Sequence, residues 1–167
     1  MQTAAQLFDI WYVQPLRTLE RLPGGAGGFI ALGTSCFLYE RYAKAILEAE
    51  GKPASETNLI NQFAEDFKTN NDTAKCFWQE MRHGLLHQGM PKKKDRGNVQ
   101  LPPWAFENNF PAVELATYLN GGPILLVQPW KIMNRVIELW EAKPDLLEAS
   151  DDFPWASIGP VTVVRRI

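Results

Sequence analysis

The chain has 167 residues, 46% apolar and 22% charged, with a net charge of −2 and a pI near 5.7. Those values fit one globular domain over residues 1–167, and they exclude a surface that grips nucleic acid everywhere, since such domains are basic. No run approaches the ~20 apolar residues of a membrane helix, and residues 1–6 lack the pattern of a signal peptide. The expectation is therefore a cytoplasmic protein without membrane contact, whose two cysteines, Cys36 and Cys76, are reduced core thiols.

The first ~90 residues read as four helices. Phe8, Trp11, Tyr12, Pro15, Leu19 and Leu22 form the stripe of the first, with Pro15 set to kink it. Residues 22–28 are glycine-rich but lack the lysine of a P-loop and follow no strand, so an inter-helix turn is the better account. A long second helix over about 29–50 buries Phe29, Leu32, Cys36, Tyr39, Ala43, Ile46 and Leu47, and Gly51 stops it. Glu40 sits at the edge of that face, about 40° from Cys36. It is either a surface ion pair or a residue that faces the fourth helix and orients Arg82 or His83. Ser55 caps a third helix over about 56–68, with Leu59, Ile60, Phe63 and Phe67 inward.

The fourth helix, expected to start at an Asp72 N-cap, holds both histidines of the chain beside an arginine: Arg82-His83-Gly84-Leu85-Leu86-His87. Arginine offers phosphate a permanent cation with a donor fork, and histidine can take and return a proton near neutral pH. Ala74, Phe77, Trp78, Met81 and Leu85 form the core stripe, while Cys76, Glu80, His83 and His87 line nearly the opposite side. Arg82 lies about 140° from His87 on an ideal helix, so two copies packed through this helix are a simple way to join the two groups. The polar line is expected to stay out of the monomer core, with Gly84 allowing a partner helix to approach. Lys92, Lys93, Lys94 and Arg96, less Asp95, then put a charge of +3 in five residues. The strip is either a solvated turn or a binding patch for an anionic partner such as RNA.

After residue 97 the chain turns aromatic and proline-rich to Phe110, read as an ordered loop with short extended pieces. Residues 113–119 and 124–127 flank Asn-Gly-Gly-Pro and predict a β-hairpin over about 113–127. A last helix over about 129–142 carries Trp130, Met133, Val136, Ile137 and Trp140. A tail over 150–167 contains a strand-like Val161-Thr162-Val163-Val164.

Arg82-His83-x3-His87 resembles the R-polar-x3-H signature of the HEPN superfamily, all-helical proteins that include many metal-independent ribonucleases. Its place at the end of a fourth helix, Gly84-Leu85-Leu86 in its middle and Gln88-Gly89 after it are similar too. The resemblance implies a mainly α fold: a HEPN-like bundle of four to five helices with a small β-hairpin before the last. It further implies that Arg82 holds the scissile phosphate, His87 moves the 2′-hydroxyl proton and His83 shapes the site. That site would form across a homodimer and need no cofactor. Lys92, Lys93, Lys94 and Arg96 would then bind substrate RNA, with Glu40 and Glu80 in support. A toxin branch of the family, partnered by a nucleotidyltransferase antitoxin, has tyrosine two residues beyond the histidine, where this chain has Gly89.

Three other readings stand beside catalysis. Arg82 is a helix-surface ion pair with Glu80 or Asp95, and His87 is a favourable cation at a helix C-terminus. Alternatively the chain is a non-catalytic dimeric module that binds RNA, a nucleotide or a protein partner through the same groove. Zinc on His83 and His87 is the weakest of the three. Gly84 stands where a zinc protease needs glutamate, and four groups along nearly three turns cannot all reach one ion.

Overall fold

The computed structural model describes residues 3–119 and 121–149, so the strand-like stretch of the C-terminal tail lies outside the described residues. The first helix is one rod made of α1 (Ala4–Phe8), a π-helical turn (Asp9–Val13) and α2 (Gln14–Glu20). Thr3 and Gln6 close a reciprocal cap at its start, with bonds of 3.2 and 3.0 Å. Pro15 brings no N–H to its turn, and the wider π turn just ahead of it accommodates the ring, with the Gln14 N–H bonded back to the Asp9 carbonyl.

After a short 3-10 turn at Pro23–Gly25 comes α3 (Gly28–Ala49), the central helix. Its expected apolar face is buried apart from its first residue, Phe29, which is half-buried against Trp104 and Phe106. α4 (Glu56–Asp66) begins at Ser55, whose hydroxyl accepts from the Asn58 N–H at 3.3 Å. The fourth helix is continuous through α5 (Asn71–Phe77), a π-helical turn (Trp78–Arg82) and α6 (His83–Gln88). Its N-cap is Asn70 rather than Asp72: the Asn70 side chain accepts from the Thr73 N–H at 2.8 Å, which places Asp72 inside the first turn. Gly89, at φ +70°, ends it in the left-handed conformation that glycine adopts without strain.

The hairpin forms from β2 (Val113–Thr117) and β3 (Pro123–Val127), with Val113 opposite Val127. A third strand, β1 (Trp104–Phe106), pairs in parallel with the other edge of β3, giving the order β1-β3-β2. α7 (Pro129–Glu141) packs along α3, and the Trp140 indole N–H donates to the Leu38 carbonyl at 3.1 Å. A further short helix, α8 (Pro144–Glu148), follows, and its Glu148 accepts from the Ala4 N–H at 3.0 Å. The described fold is mainly helical with one small sheet, and residues from α1 to α8 share one apolar core. At its centre Phe63 stacks on Phe67 and Phe77, with ring centres 4.2 and 4.8 Å away.

Candidate functional site

The π turn sits just ahead of the motif and ends on Arg82. The guanidinium lies 5.2 Å over the Trp78 ring, one helical turn back. Its Nε and Nη2 both donate to the Glu40 carboxylate, the Nε bond measuring 2.9 Å. Both side chains are nearly buried, at 12% and 13% exposure, so the arginine's ion pair runs to α3 and not to Glu80 or Asp95. Glu40 also holds Lys44 at 2.8 Å. Burial pushes the Glu40 carboxyl up, but the bonds from Arg82 and Lys44 outweigh it and leave its pKa below the ordinary value.

The Arg82 Nη1 meets His83 Nδ1 at 2.7 Å. An arginine can only donate, so Nδ1 accepts and the ring proton of neutral His83 is on Nε2. That Nε2 is buried without a hydrogen-bond partner; the nearest carboxylate is Glu56, 3.7 Å away. Burial first, then the charge of Arg82, lowers the His83 pKa, with Glu56 opposing. His87 is exposed, and its ring stacks beside that of His83 at 5.9 Å between centres. Arg82, His83 and His87 are therefore contiguous within one chain: the 140° between Cα positions is bridged by the long arginine side chain reaching His83. A second copy is not required to join them.

Only His87 of the helix's polar line lies outside the monomer. Cys76, Glu80 and His83 are all buried, and residues 90–101 fold back against the helix at Glu80 and Gly84. The Lys92 N–H donates to the Glu80 carbonyl at 3.0 Å. Gly84 serves this same chain reversal and not a partner helix: a Cβ there would lie 2.6 Å from the Lys92 nitrogen and 2.7 Å from Pro91 Cα. The Glu80 carboxyl bonds to neither Arg82 nor His83; it takes a long bond, 3.9 Å, from the Cys76 thiol. Burial raises the Glu80 pKa to about 8 and those of Cys36 and Cys76 to about 12, so both thiols stay protonated.

The lysine strip rides on a pinned loop. Lys94 bridges to Gln100, Leu101 N–H donates to the Lys93 carbonyl at 2.9 Å, and Asp95 closes the tip through Val99 N–H at 2.9 Å. Lys93, Lys94 and Arg96 are exposed and Lys92 is half-buried. Arg96, 75% exposed, reaches Glu56 at 3.4 Å, so Glu56 stands between His83 and the strip. Glu56 carries no signal of this role in the sequence; it comes from the first turn of α4, and no spacing links it to the motif. Trp78, four residues before Arg82, is legible as a helical neighbour, but its place in the apolar stripe marks it only as core. Among the described residues no three His, Cys, Asp or Glu side chains gather as a metal site, and no helix is long and apolar enough to cross a membrane. Comparison with protein-family models, curated proteins and solved structures finds no match.

Proposed function

We propose that the protein is a metal-independent endoribonuclease of the HEPN type. The observation that carries this reading is an oriented cation beside an open base. Arg82 is fixed by Glu40 and His83, while His87 stacks on His83 in solvent with the lysine strip following. In the reaction His87 takes the proton of a ribose 2′-hydroxyl, and the 2′-oxygen bonds to the adjacent phosphorus. The bond from phosphorus to the 5′-oxygen then breaks, and that oxygen takes a proton from water, while His87 returns the one it took to solvent. Arg82 neutralises the phosphate through the N–H groups that Glu40 and His83 leave unused. The lysines hold flanking phosphates. A homodimeric, cytoplasmic enzyme, with an antitoxin or another protein as partner, belongs to this reading on the family resemblance alone.

Purified protein should cut RNA in the presence of EDTA and leave 2′,3′-cyclic phosphate ends. His87→Ala should lower the rate by roughly 10²–10⁴. Unchanged cleavage by that variant removes His87 from the mechanism, and light scattering at 18.9 kDa removes the dimer. A second reading, a non-catalytic RNA-binding module, is favoured by the near-complete burial of Arg82, each of whose nitrogens already makes one bond within the protein. It is the one supported if RNA binds with a steep salt dependence and charge reversal of the lysines abolishes binding, yet no cleavage appears.

A further inference from the structure

Where residues 92–104 pass over the motif helix they leave a cleft of about 350 Å³, apart from the Arg82 and His87 side chains. Glu80 and Trp104 line it together with Lys92, Lys93 and Gln100. Each lining group has a distinct capacity. Trp104, braced edge-on by Phe29 at 5.6 Å, offers an aromatic face of the kind on which a base stacks. Lys92 and Lys93 offer charge to a phosphate. Glu80 is 1% exposed, and the structure pairs its carboxyl with the Cys76 thiol and with no cation among the described residues. A buried carboxyl without strong donors is short of hydrogen bonds, and once it has given up its proton both oxygens accept, which suits a ligand with two N–H groups side by side.

Among the four RNA bases only guanine presents that edge, at N1–H and N2–H. Adenine, cytosine and uracil each alternate a donor with an acceptor there. We propose that this cleft binds a guanine nucleotide, with Glu80 reading the N1–H/N2–H edge, Trp104 stacking on the base and Lys92 or Lys93 meeting the phosphate. The Lys92 N–H bond to the Glu80 carbonyl ties the cleft to the motif helix two residues before Arg82. The inference rests on the ribonuclease reading only in making guanine the base beside the cut; binding itself does not depend on cleavage.

The titratable and charged groups on the surrounding elements include Cys76, Arg82 and His83 on the same helix, Cys36 and Glu40 on α3, and Lys92 and Lys93 on the loop. Of these only Cys76 bonds to the Glu80 carboxyl. Guanine's two donors favour the ionised carboxylate, whereas burial in the free protein favours the neutral one. Binding therefore releases a proton, and affinity rises with pH toward 8.5.

The test is titration of the full chain with GMP, IMP, AMP, CMP and UMP, read by the Trp104 indole resonance and by calorimetry. IMP is GMP without the 2-amino group. GMP should bind at least tenfold more tightly than the other four, and its affinity should rise between pH 6.5 and 8.5. Glu80→Gln, which keeps size but replaces one acceptor by a donor, should abolish both the preference and the pH dependence. Equal binding of GMP and IMP, a Glu80→Gln protein that still prefers GMP, or a Trp104 resonance unmoved by every nucleotide would each overturn the proposal. Selective GMP binding without RNA cleavage keeps the cleft and removes the ribonuclease. Cleavage without selective binding does the reverse.

Discussion

Glu40 on α3 and Glu80 on the motif helix are both withdrawn from water, yet their surroundings treat them oppositely. Glu40 receives two cations, Arg82 and Lys44, and is held ionised. Glu80 receives one thiol, and burial pushes its pKa to about 8. Burial alone does not decide the charge of a carboxyl; the donors supplied to it do. The difference assigns them different work. An ionised Glu40 can hold an arginine rigid, while Glu80, neutral and short of donors, can accept them from a ligand by giving up its proton.

The largest effect expected from this contrast is on the Glu40 side. Glu40→Ala strands the Arg82 guanidinium at 12% exposure without its carboxylate, which should cost roughly 2–4 kcal/mol of stability. Urea unfolding measures it, and Glu40→Gln, which keeps a hydrogen-bond acceptor, should lose less. A Glu40→Ala protein as stable as wild type would show that the pair is dispensable. Next in size is Gly84→Ala. The new methyl meets backbone, which cannot rotate away, and overpacking of this kind costs about 1–3 kcal/mol. Because the damage falls where residues 90–92 meet the helix, limited proteolysis should cut the loop over 90–101 faster in this variant.

The pH dependence separates the two carboxyls by sign. Glu40 has a lowered folded pKa, so its stabilising contribution is present above the ordinary 4.5 and is lost as pH falls through the depressed value. Glu80 runs the other way. With a folded pKa near 8 against 4.5 unfolded, its contribution is full below 4.5, declines above it, and is gone once pH has risen through about 8. Urea midpoints taken from acid to alkaline pH should show both losses in the wild type. Glu80→Gln should remove only the loss between pH 4.5 and about 8. If the variant keeps it, another group is responsible.

Much of the scaffold is readable from pattern. The apolar stripe of α3, the Ser55 cap and the hairpin from β2 to β3 rest on local periodicity and turn chemistry, which act over a few residues. The cap at Asn70 escapes such a reading because Asp72, two residues later, is an equally good capping type, and only backbone geometry separates them. The partners in the site are harder. The pattern places Glu40 at the margin of its helix, with Arg82 as one of two candidate neighbours, but an ion pair 42 residues apart in sequence is set by how helices dock. The burial of Cys76 is legible from its apolar helical pattern, but that of Glu80 and His83 is not. Residues 90–101 double back against the helix, and a segment with Pro91, three lysines and Gly97 has no hydrophobic period to announce that it covers anything. Gly84 does mark a point of close approach, but the approaching chain is its own.

The smallest expected effect concerns the lysine strip, and its smallness is informative. Lys93 and Lys94 are exposed, and the loop beneath them is held by backbone bonds from Leu101 to Lys93 and by the Asp95 cap, none of which uses a lysine ammonium. Lys93→Ala with Lys94→Ala should therefore shift stability by no more than about 0.5 kcal/mol. The same double variant should weaken RNA binding and reduce the slope of log affinity against log salt by about 1.4–1.8, since two phosphates are no longer neutralised. A full slope with weakened binding would mean that the lysines act on the loop and not on phosphate. A measurable loss of stability would mean the same, because exposed side chains on a pinned loop have no other route to it.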